Sequence, residues 1–252
     1  MASYEAFAYV YDEYMDNIPY DDWCKYLLEL LDRYGAKKGD NIADLGCGTG
    51  NVTMRLSKAG FSMVGLDLST DMLTVAAEKM SDSSDTIIYS CQDIRDFTLP
   101  FRYDYMTSIG DSMNYMTSLD DLKSVFRSVR DNLNDGGAFI FDLKTRHFFK
   151  DIVGDNTYAE NREDSAFIWD NYYDDESDNN EYQLAVFIKD EDEDLFVRYE
   201  EEHYQHGFSL EEVKKSIEEA GLKLIDCFNA FTYDAASEDD ERWYFIVTNK
   251  LS

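Results

Sequence analysis

An apolar strand that runs directly into three alternating glycines constrains this chain more than any other feature. Asn41-Ile42-Ala43-Asp44-Leu45 reads as a strand, Gly46-Cys47-Gly48-Thr49-Gly50 as a sharp turn, and the residues from Asn51 as a helix with free N–H groups at its start. The glycines let the backbone turn tightly and approach a ligand with no Cβ in the way. Phe61 to Leu66 reads as a second buried strand. It stops at Asp67, where a carboxylate is placed to accept hydrogen bonds from a ribose. Together these segments make a nucleotide cradle.

A dinucleotide fingerprint G-x-G-x-x-G read from Gly46 requires glycine at position 51, which is Asn51. The pattern present is Asp44-x-Gly46-x-Gly48-x-Gly50 with Asp67 downstream. Asp67-Leu68-Ser69-x-Asp71-Met72-Leu73 continues it, followed by Cys91-Gln92-Asp93-Ile94-Arg95, Tyr103-Asp104 at the start of a strand, and Gly136-Gly137 before Ala138 to Asp142. In this order the segments resemble the motifs of class I S-adenosylmethionine-dependent methyltransferases. The motifs cover residues 1–150, and residues 207–252 match by layout. The region between them is similar to the insertion of bacterial amino-sugar N-methyltransferases and their uncharacterised relatives, within the small-molecule N-methyltransferases of the amino-sugar and glycine types that the whole chain resembles.

The resemblance implies a Rossmann-like α/β fold with a seven-stranded, mostly parallel sheet flanked by helices. It implies S-adenosylmethionine as cofactor and S-adenosylhomocysteine as product. Donor contacts are expected from Asp44, Gly46, Cys47 and Gly48, from Asp67 on the ribose, from Leu68 and Met72 beside the adenine with Gln92, Asp93 and Ile94, and from Gly110. A carboxylate at Asp67 accepting from two hydroxyls gains about 1.5–3 kcal/mol for each charge-assisted bond. For Asp44 a purely structural role in the turn stands beside a ligand contact, and for Met72 ordinary core packing does.

The chain has 252 residues, 44% of them hydrophobic, enough for one α/β domain with an insertion. Its 53 acidic and 23 basic residues give a net charge of -30, which repels a phosphate backbone and an anionic membrane. No apolar run approaches the roughly 20 residues that span a bilayer. Met1-Ala2-Ser3-Tyr4-Glu5 lacks the basic start and apolar block of a signal peptide, so a cytoplasmic location is expected. Cys24, Cys47, Cys91 and Cys227 have no C-x-x-C spacing and are expected to be free thiols.

Apolar spacing predicts a helix over 21–34 capped by Asp21 or Asp22, one ended by Gly60, one capped by Ser69, one from Leu119 to Leu133, and one from Ser209 to Ala220. Strands are predicted at Thr86 to Tyr89, Tyr103 to Ile109, Ala138 to Phe141, Leu222 to Phe228 and Trp243 to Thr248. Strands alternating with helices imply a parallel sheet. From about 151 to 206 the alternation stops. Three runs, Ser165 to Tyr173, Glu181 to Lys189 and Leu195 to His203, read as an antiparallel β-meander with one apolar face. We therefore expect a donor-binding domain of residues 1–150 and 207–252, with a β-rich insertion at 151–206. The apolar face must be buried, either over the active site as a roof or against a second subunit. The acidic turns at 174–176 and 190–194 lack EF-hand spacing and read as solvated hairpin tips.

The N-terminal segment is rich in aromatics: Tyr9, Tyr11, Tyr14, Tyr20 and Trp23 surround Asp12. Such rings and hydroxyls suit a sulfonium and a carboxylate, and the segment resembles the tyrosine-bearing arm of small-molecule N-methyltransferases, with Tyr11 and Tyr20 the foremost candidates. After the fourth strand comes Gly110-Asp111-Ser112-Met113-Asn114-Tyr115, where Asp111 or Tyr115 could orient an amine. This segment lacks the Pro-Pro-aromatic signature of enzymes that methylate nucleic-acid amino groups. His203 or His147 could serve as a base near neutral pH. His203-x-x-His206 has no third spaced ligand, so no metal site is expected. The expected partner is a small-molecule acceptor, plausibly an amine, with no nucleic acid or membrane, and the chain a monomer or homodimer.

Overall fold

A computed structural model of the chain describes residues 18–81, 87–190 and 195–249, together with Ala8, Tyr11, Asp12, Tyr14 and Met15. Tyr9 and residues 191–194 of the second acidic turn lie outside the described residues. From residue 18 onward the described elements are α1 (Tyr20–Arg33), β1 (Asn41–Leu45), α2 (Asn51–Ala59), β2 (Ser62–Asp67), α3 (Thr70–Ser81) and β3 (Ile88–Cys91). The chain continues through β4 (Tyr103–Ser108), a 3-10 turn (Ser112–Tyr115), α4 (Leu119–Asn132), β5 (Leu133–Lys144) and a π-helical turn (Phe148–Val153). Strands β6 (Thr157–Asn161), β7 (Ser165–Asp174), β8 (Asn179–Lys189) and β9 (Phe196–His206) follow, then α5 (Leu210–Glu219), β10 (Leu222–Asn229) and β11 (Arg242–Asn249).

The seven-stranded sheet has the order β10-β11-β5-β4-β1-β2-β3. Neighbours from β5 to β3 pair in parallel, whereas β11 is antiparallel to both β5 and β10, so β11 runs against the rest. This is the mostly parallel α/β sheet that strand–helix alternation implies. Period-2 alternation sorts the side chains by face: Phe139, Phe141 and Phe245 meet α4 and α5, while Ile140, Tyr244 and Ile246 meet α1 and α2. Each fully buried side chain of this kind contributes about 1.5–3 kcal/mol. No helix among the described residues is long and apolar enough to cross a membrane.

Three local expectations change. Helix α1 starts at Tyr20 with Pro19 at the N-cap, and Asp21 and Asp22 lie within the first turn, where their charge suits the positive end of the helix without capping it. Strand β5 begins at Leu133, five residues earlier than apolar content alone suggests; its register against β4 shifts between Tyr103 and Tyr105, and Gly136 takes φ 81° in the irregular stretch. The insertion holds four strands, ordered β6-β7-β8-β9, where three were expected. The extra strand, β6, is a short edge strand that is almost wholly exposed, so it carries no apolar alternation to read.

Meander register places Phe167 and Trp169 opposite Val186 and Leu184, and Tyr182 opposite His203. The apolar face of the meander therefore also carries Glu201, His203 and Gln205, which share the parity of Val197 and Tyr199. Leu184 and Val186 pack with Met72 and Val75 of α3 and with Tyr14. That contact sets the meander across the carboxyl ends of the parallel strands.

Candidate active site

At those strand ends lies a cavity of about 1010 Å³, bounded by the glycine turn, the 3-10 turn, the N-terminal segment and the inner face of the meander. Every residue singled out above for the donor lines it: Tyr11, Tyr20, Asp44, Gly46, Cys47, Gly48, Asp67, Leu68, Met72, Gln92, Asp93, Ile94 and Gly110. Asp111, Tyr115 and His203 line it as well. His147 does not; its Nδ1 lies 2.8 Å from Asp151 Oδ2.

The glycine turn is built for close approach. Gly46, Gly48 and Gly50 all have positive φ, between 52° and 78°. A Cβ on Gly46 would lie 2.5 Å from Ser112 Cβ, and one on Gly50 would press on Tyr89 and Ala76, so these two glycines are demanded by packing. Gly48 differs, because a Cβ there meets nothing within 4 Å and would project into open space beside the cavity. Main chain exposed in this way fits an adenosyl ligand that needs the room. Asp67 Oδ2 accepts the Gly48 N–H at 2.8 Å and Oδ1 accepts the Ser69 N–H at 2.9 Å. A carboxylate has about four acceptor positions, so Asp67 keeps capacity for a further donor from a ligand. Burial pushes the Asp67 carboxyl above its ordinary value, and the Ser69 and Gly48 N–H donors offset part of that rise.

Asp44 is buried, and its two oxygens accept from Thr53 Oγ1 at 2.6 Å and Thr107 Oγ1 at 2.9 Å. Burial raises its carboxyl to about 6. Its bonds tie β1 to α2 and β4, which is the work of a turn brace. The Gln92 amide is engaged with Ser90, Thr98 and its own loop, and Asp93 is held by the Arg95 guanidinium. Met72 is 9% exposed and belongs to both the cavity wall and the contact between α3 and the meander. Burial pushes the Cys47 thiol well above its ordinary value, which makes it inert at neutral pH.

The N-terminal segment is tied to the glycine turn by Asp12, which accepts from Thr49 Oγ1 at 2.7 Å, Asn51 Nδ2 at 2.8 Å and Lys79 Nζ at 2.6 Å. Tyr11 is half-buried beside Tyr20, Tyr115 and Asp111, and desolvation there drives its phenol upward. Arg55 lies 5.4 Å over the Tyr20 ring.

Sequence reasoning missed the charged floor beneath the 3-10 turn. Asp111 adopts φ 74° and is ion-paired to Lys144 Nζ at 2.7 Å and to Arg242 Nη1 at 2.6 Å. Arg242 also pairs with Asp142, whose Oδ1 accepts the Gly110 and Asp111 N–H groups at 3.1 and 3.3 Å. Burial alone would raise the Asp111 carboxyl, but Arg242 and Lys144 hold it below the ordinary range. Its charge is thus already matched, and it shapes the turn where the sequence suggested a partner for an amine. No local signal marks Arg242, which opens the last strand 131 residues downstream of Asp111.

Tyr115 is on the wall facing the meander. Its Oη lies 2.9 Å from Tyr182 Oη and 3.0 Å from His203 Nδ1, and the Tyr182 and His203 rings stack with centroids 4.5 Å apart. His203 Nε2 lies 3.0 Å from Glu201 Oε2. His206, three residues on, falls on the opposite face and meets Asn179 Oδ1 at 2.8 Å. The Trp169 indole N–H is buried at the cavity wall with no partner among the described residues.

Comparison with known proteins agrees with this geometry. A family described as a methyltransferase domain matches residues 42–137. A protein assigned as a methyltransferase in Geobacillus sp. (strain WCH70) is 31% identical over 245 residues, covering 97% of this chain and 99% of its own. Among solved structures, an S-adenosylmethionine-dependent methyltransferase from Clostridium acetobutylicum ATCC 824 is 27% identical with a TM-score of 0.86 over 98% of both chains. A sugar N-methyltransferase from Streptoalloteichus sp. ATCC 53650, 15% identical, shares the fold with a TM-score of 0.78 over 96% of this chain and 93% of its own.

Proposed function

Because the chain belongs to the S-adenosylmethionine-dependent methyltransferases, we propose that it methylates a small molecule, at an amine nitrogen, in the cytoplasm. The observation that carries the reading is the single cavity in which the glycine turn and the aromatic face of the meander confront each other. Gly48 and Asp67 hold the donor's adenosyl part on the turn that Gly46 shapes, and Tyr11 and Tyr20 close over its charged end. The sulfonium supplies an activated methyl group. The protein's share is orientation and exclusion of water, which together are worth about 7–11 kcal/mol in well-aligned pairs.

On the acceptor side, Trp169, Tyr182 and Tyr115 offer aromatic faces that favour a cation, and the surplus of acid on the chain attracts amines and repels phosphate backbones. The sugar N-methyltransferase of the same fold is a further pointer to nitrogen. On this reading Tyr115 and His203, which line the same cavity, touch the acceptor. Residues 151–206 serve as a roof that selects it, and the rest of the chain binds the donor.

Calorimetry with S-adenosylhomocysteine tests the donor half, and label transfer from S-adenosylmethionine to a panel of amines, hydroxyl compounds and thiols tests the acceptor half. We expect donor binding, none for a nicotinamide dinucleotide, and label on an amine. Asp67→Ala should weaken donor binding at least tenfold. Replacing residues 160–203 by a short linker should preserve donor binding and abolish transfer; full activity in a folded variant of that kind would overturn the roof. Donor binding without label on any small molecule would instead make the chain a sensor or an enzyme of macromolecules.

A further inference from the structure

We infer that Glu201 is a positioning residue that sets the tautomer of His203, making His203 Nδ1 the proton acceptor of a relay that begins at the Tyr115 hydroxyl. The inference deepens the proposed methyl transfer and rests on it for the identity of the reaction. Glu201 is 4% exposed, and its Oε2 lies 3.0 Å from His203 Nε2. An ionised carboxylate can only accept, so Nε2 must carry the hydrogen and donate it. In the neutral ring this leaves the lone pair on Nδ1, 3.0 Å from Tyr115 Oη, whose O–H is then the donor. The stacked Tyr182 ring holds the imidazole plane, and Tyr182 Oη lies 2.9 Å from Tyr115 Oη.

Glu201 and His203 stand two apart on one face of β9, so strand geometry aims both at the same place, while Tyr115 arrives from the turn after β4. Glu201 Oε1 is buried with no partner among the described residues. A carboxylate in that setting is poorly matched by a neutral imidazole and well matched by an imidazolium. The arrangement is therefore complementary to the state after proton transfer.

The proton count closes. An acceptor bearing an N–H or O–H forms a new bond to the methyl carbon as the carbon–sulfur bond breaks and its electron pair returns to sulfur. The acceptor's proton passes to Tyr115 Oη, and the proton of Tyr115 passes to His203 Nδ1. The resulting imidazolium is held by Glu201 until water removes the proton. The substrate class is thereby narrowed to acceptors whose attacking atom gives up a proton, a primary or secondary amine or a hydroxyl, and thioethers and tertiary amines are excluded.

The chain has 3 histidines, so 15N-labelled imidazole spectra of the whole protein are simple to assign with His147→Gln and His206→Gln variants. At neutral pH without ligand, His203 should be the Nε2–H tautomer. The Nδ1–H tautomer would overturn the relay without any variant being made, and it would leave donor binding and methyl transfer standing. In Glu201→Gln the Nε2–H tautomer of His203 should lose its preference, with Glu201→Asp restoring part of it; an unchanged tautomer ratio would overturn the role of Glu201. With an acceptor from the panel, Glu201→Gln should lower kcat about a hundredfold while the Kd for S-adenosylhomocysteine stays the same. Loss of donor binding in the unaltered protein would instead count against the proposed function.

Discussion

Two turns at adjacent strand ends build the site in opposite ways. The turn after β1 is made of main chain: Gly46, Gly48 and Gly50 in left-handed conformations, closed by Asp67 only 19 residues from Gly48. The turn after β4 is held by distant side chains. There Asp111 takes a left-handed φ that a non-glycine residue rarely adopts, and Lys144 and Arg242, from two other strands, hold its carboxylate. A ligand common to many enzymes is met by backbone that any chain with these glycines reproduces. The part of the site proposed to face the acceptor is assembled from side chains that only the finished fold brings together.

If the second turn depends on its charges, removing one should be the most damaging change. Arg242→Met leaves Asp142 buried without its counter-ion, and we expect a loss of about 3–5 kcal/mol in urea unfolding at neutral pH. Burial already raises the Asp142 carboxyl, and losing Arg242 raises it further, so the penalty belongs to the charged form. It should shrink as pH falls and the carboxyl takes up a proton. A loss below about 1 kcal/mol would mean that the turn is held locally after all.

Within the first turn, Gly46 and Gly48 should respond differently. Gly46→Ala combines a left-handed backbone with overlap on Ser112 and should cost about 2–5 kcal/mol in thermal or urea unfolding. Gly48→Ala meets no neighbour and should cost only about 1–2 kcal/mol. Its methyl group nevertheless occupies the space proposed for the donor, so affinity for S-adenosylhomocysteine should fall more than tenfold. Equal affinity losses scaled to stability in both variants would remove the distinction between packing glycine and ligand glycine.

Asp44 tests the brace beneath the first turn. Its folded-state value of about 6 lies above the ordinary 3.8, so the folded chain holds the proton more tightly. Stability from this group is therefore greatest at low pH and declines as pH rises from about 4 to about 6, by about 3 kcal/mol in all. Comparing the unaltered protein with Asp44→Asn across that interval isolates the effect from the other acids, and a flat difference would contradict it. The smallest effect is expected on the outer face of the meander. Arg198 and Glu200 pair in solvent, and Arg198→Ala should change stability by less than about 1 kcal/mol and leave transfer intact.

The amino-acid sequence by itself determined the parallel sheet, the glycine turn, the acid at the end of β2 and the apolar face of the meander. Each depends on residues within one or two elements, and period 2, period 3.6 and glycine placement express it directly. Ser209 capping α5, with Glu212 closing the capping box, is legible for the same reason. Strand β6 escaped because an exposed edge strand needs no apolar pattern. Only the tertiary structure decided that Asp12 straps the N-terminal segment onto Thr49 and Asn51, that Arg242 meets Asp111, and that Tyr115 meets His203 across 88 residues. These pairs are chosen by where strand ends and the meander converge in space. A hydrogen bond or ion pair of this kind puts no periodicity on the chain, so nothing in the order of residues announces it.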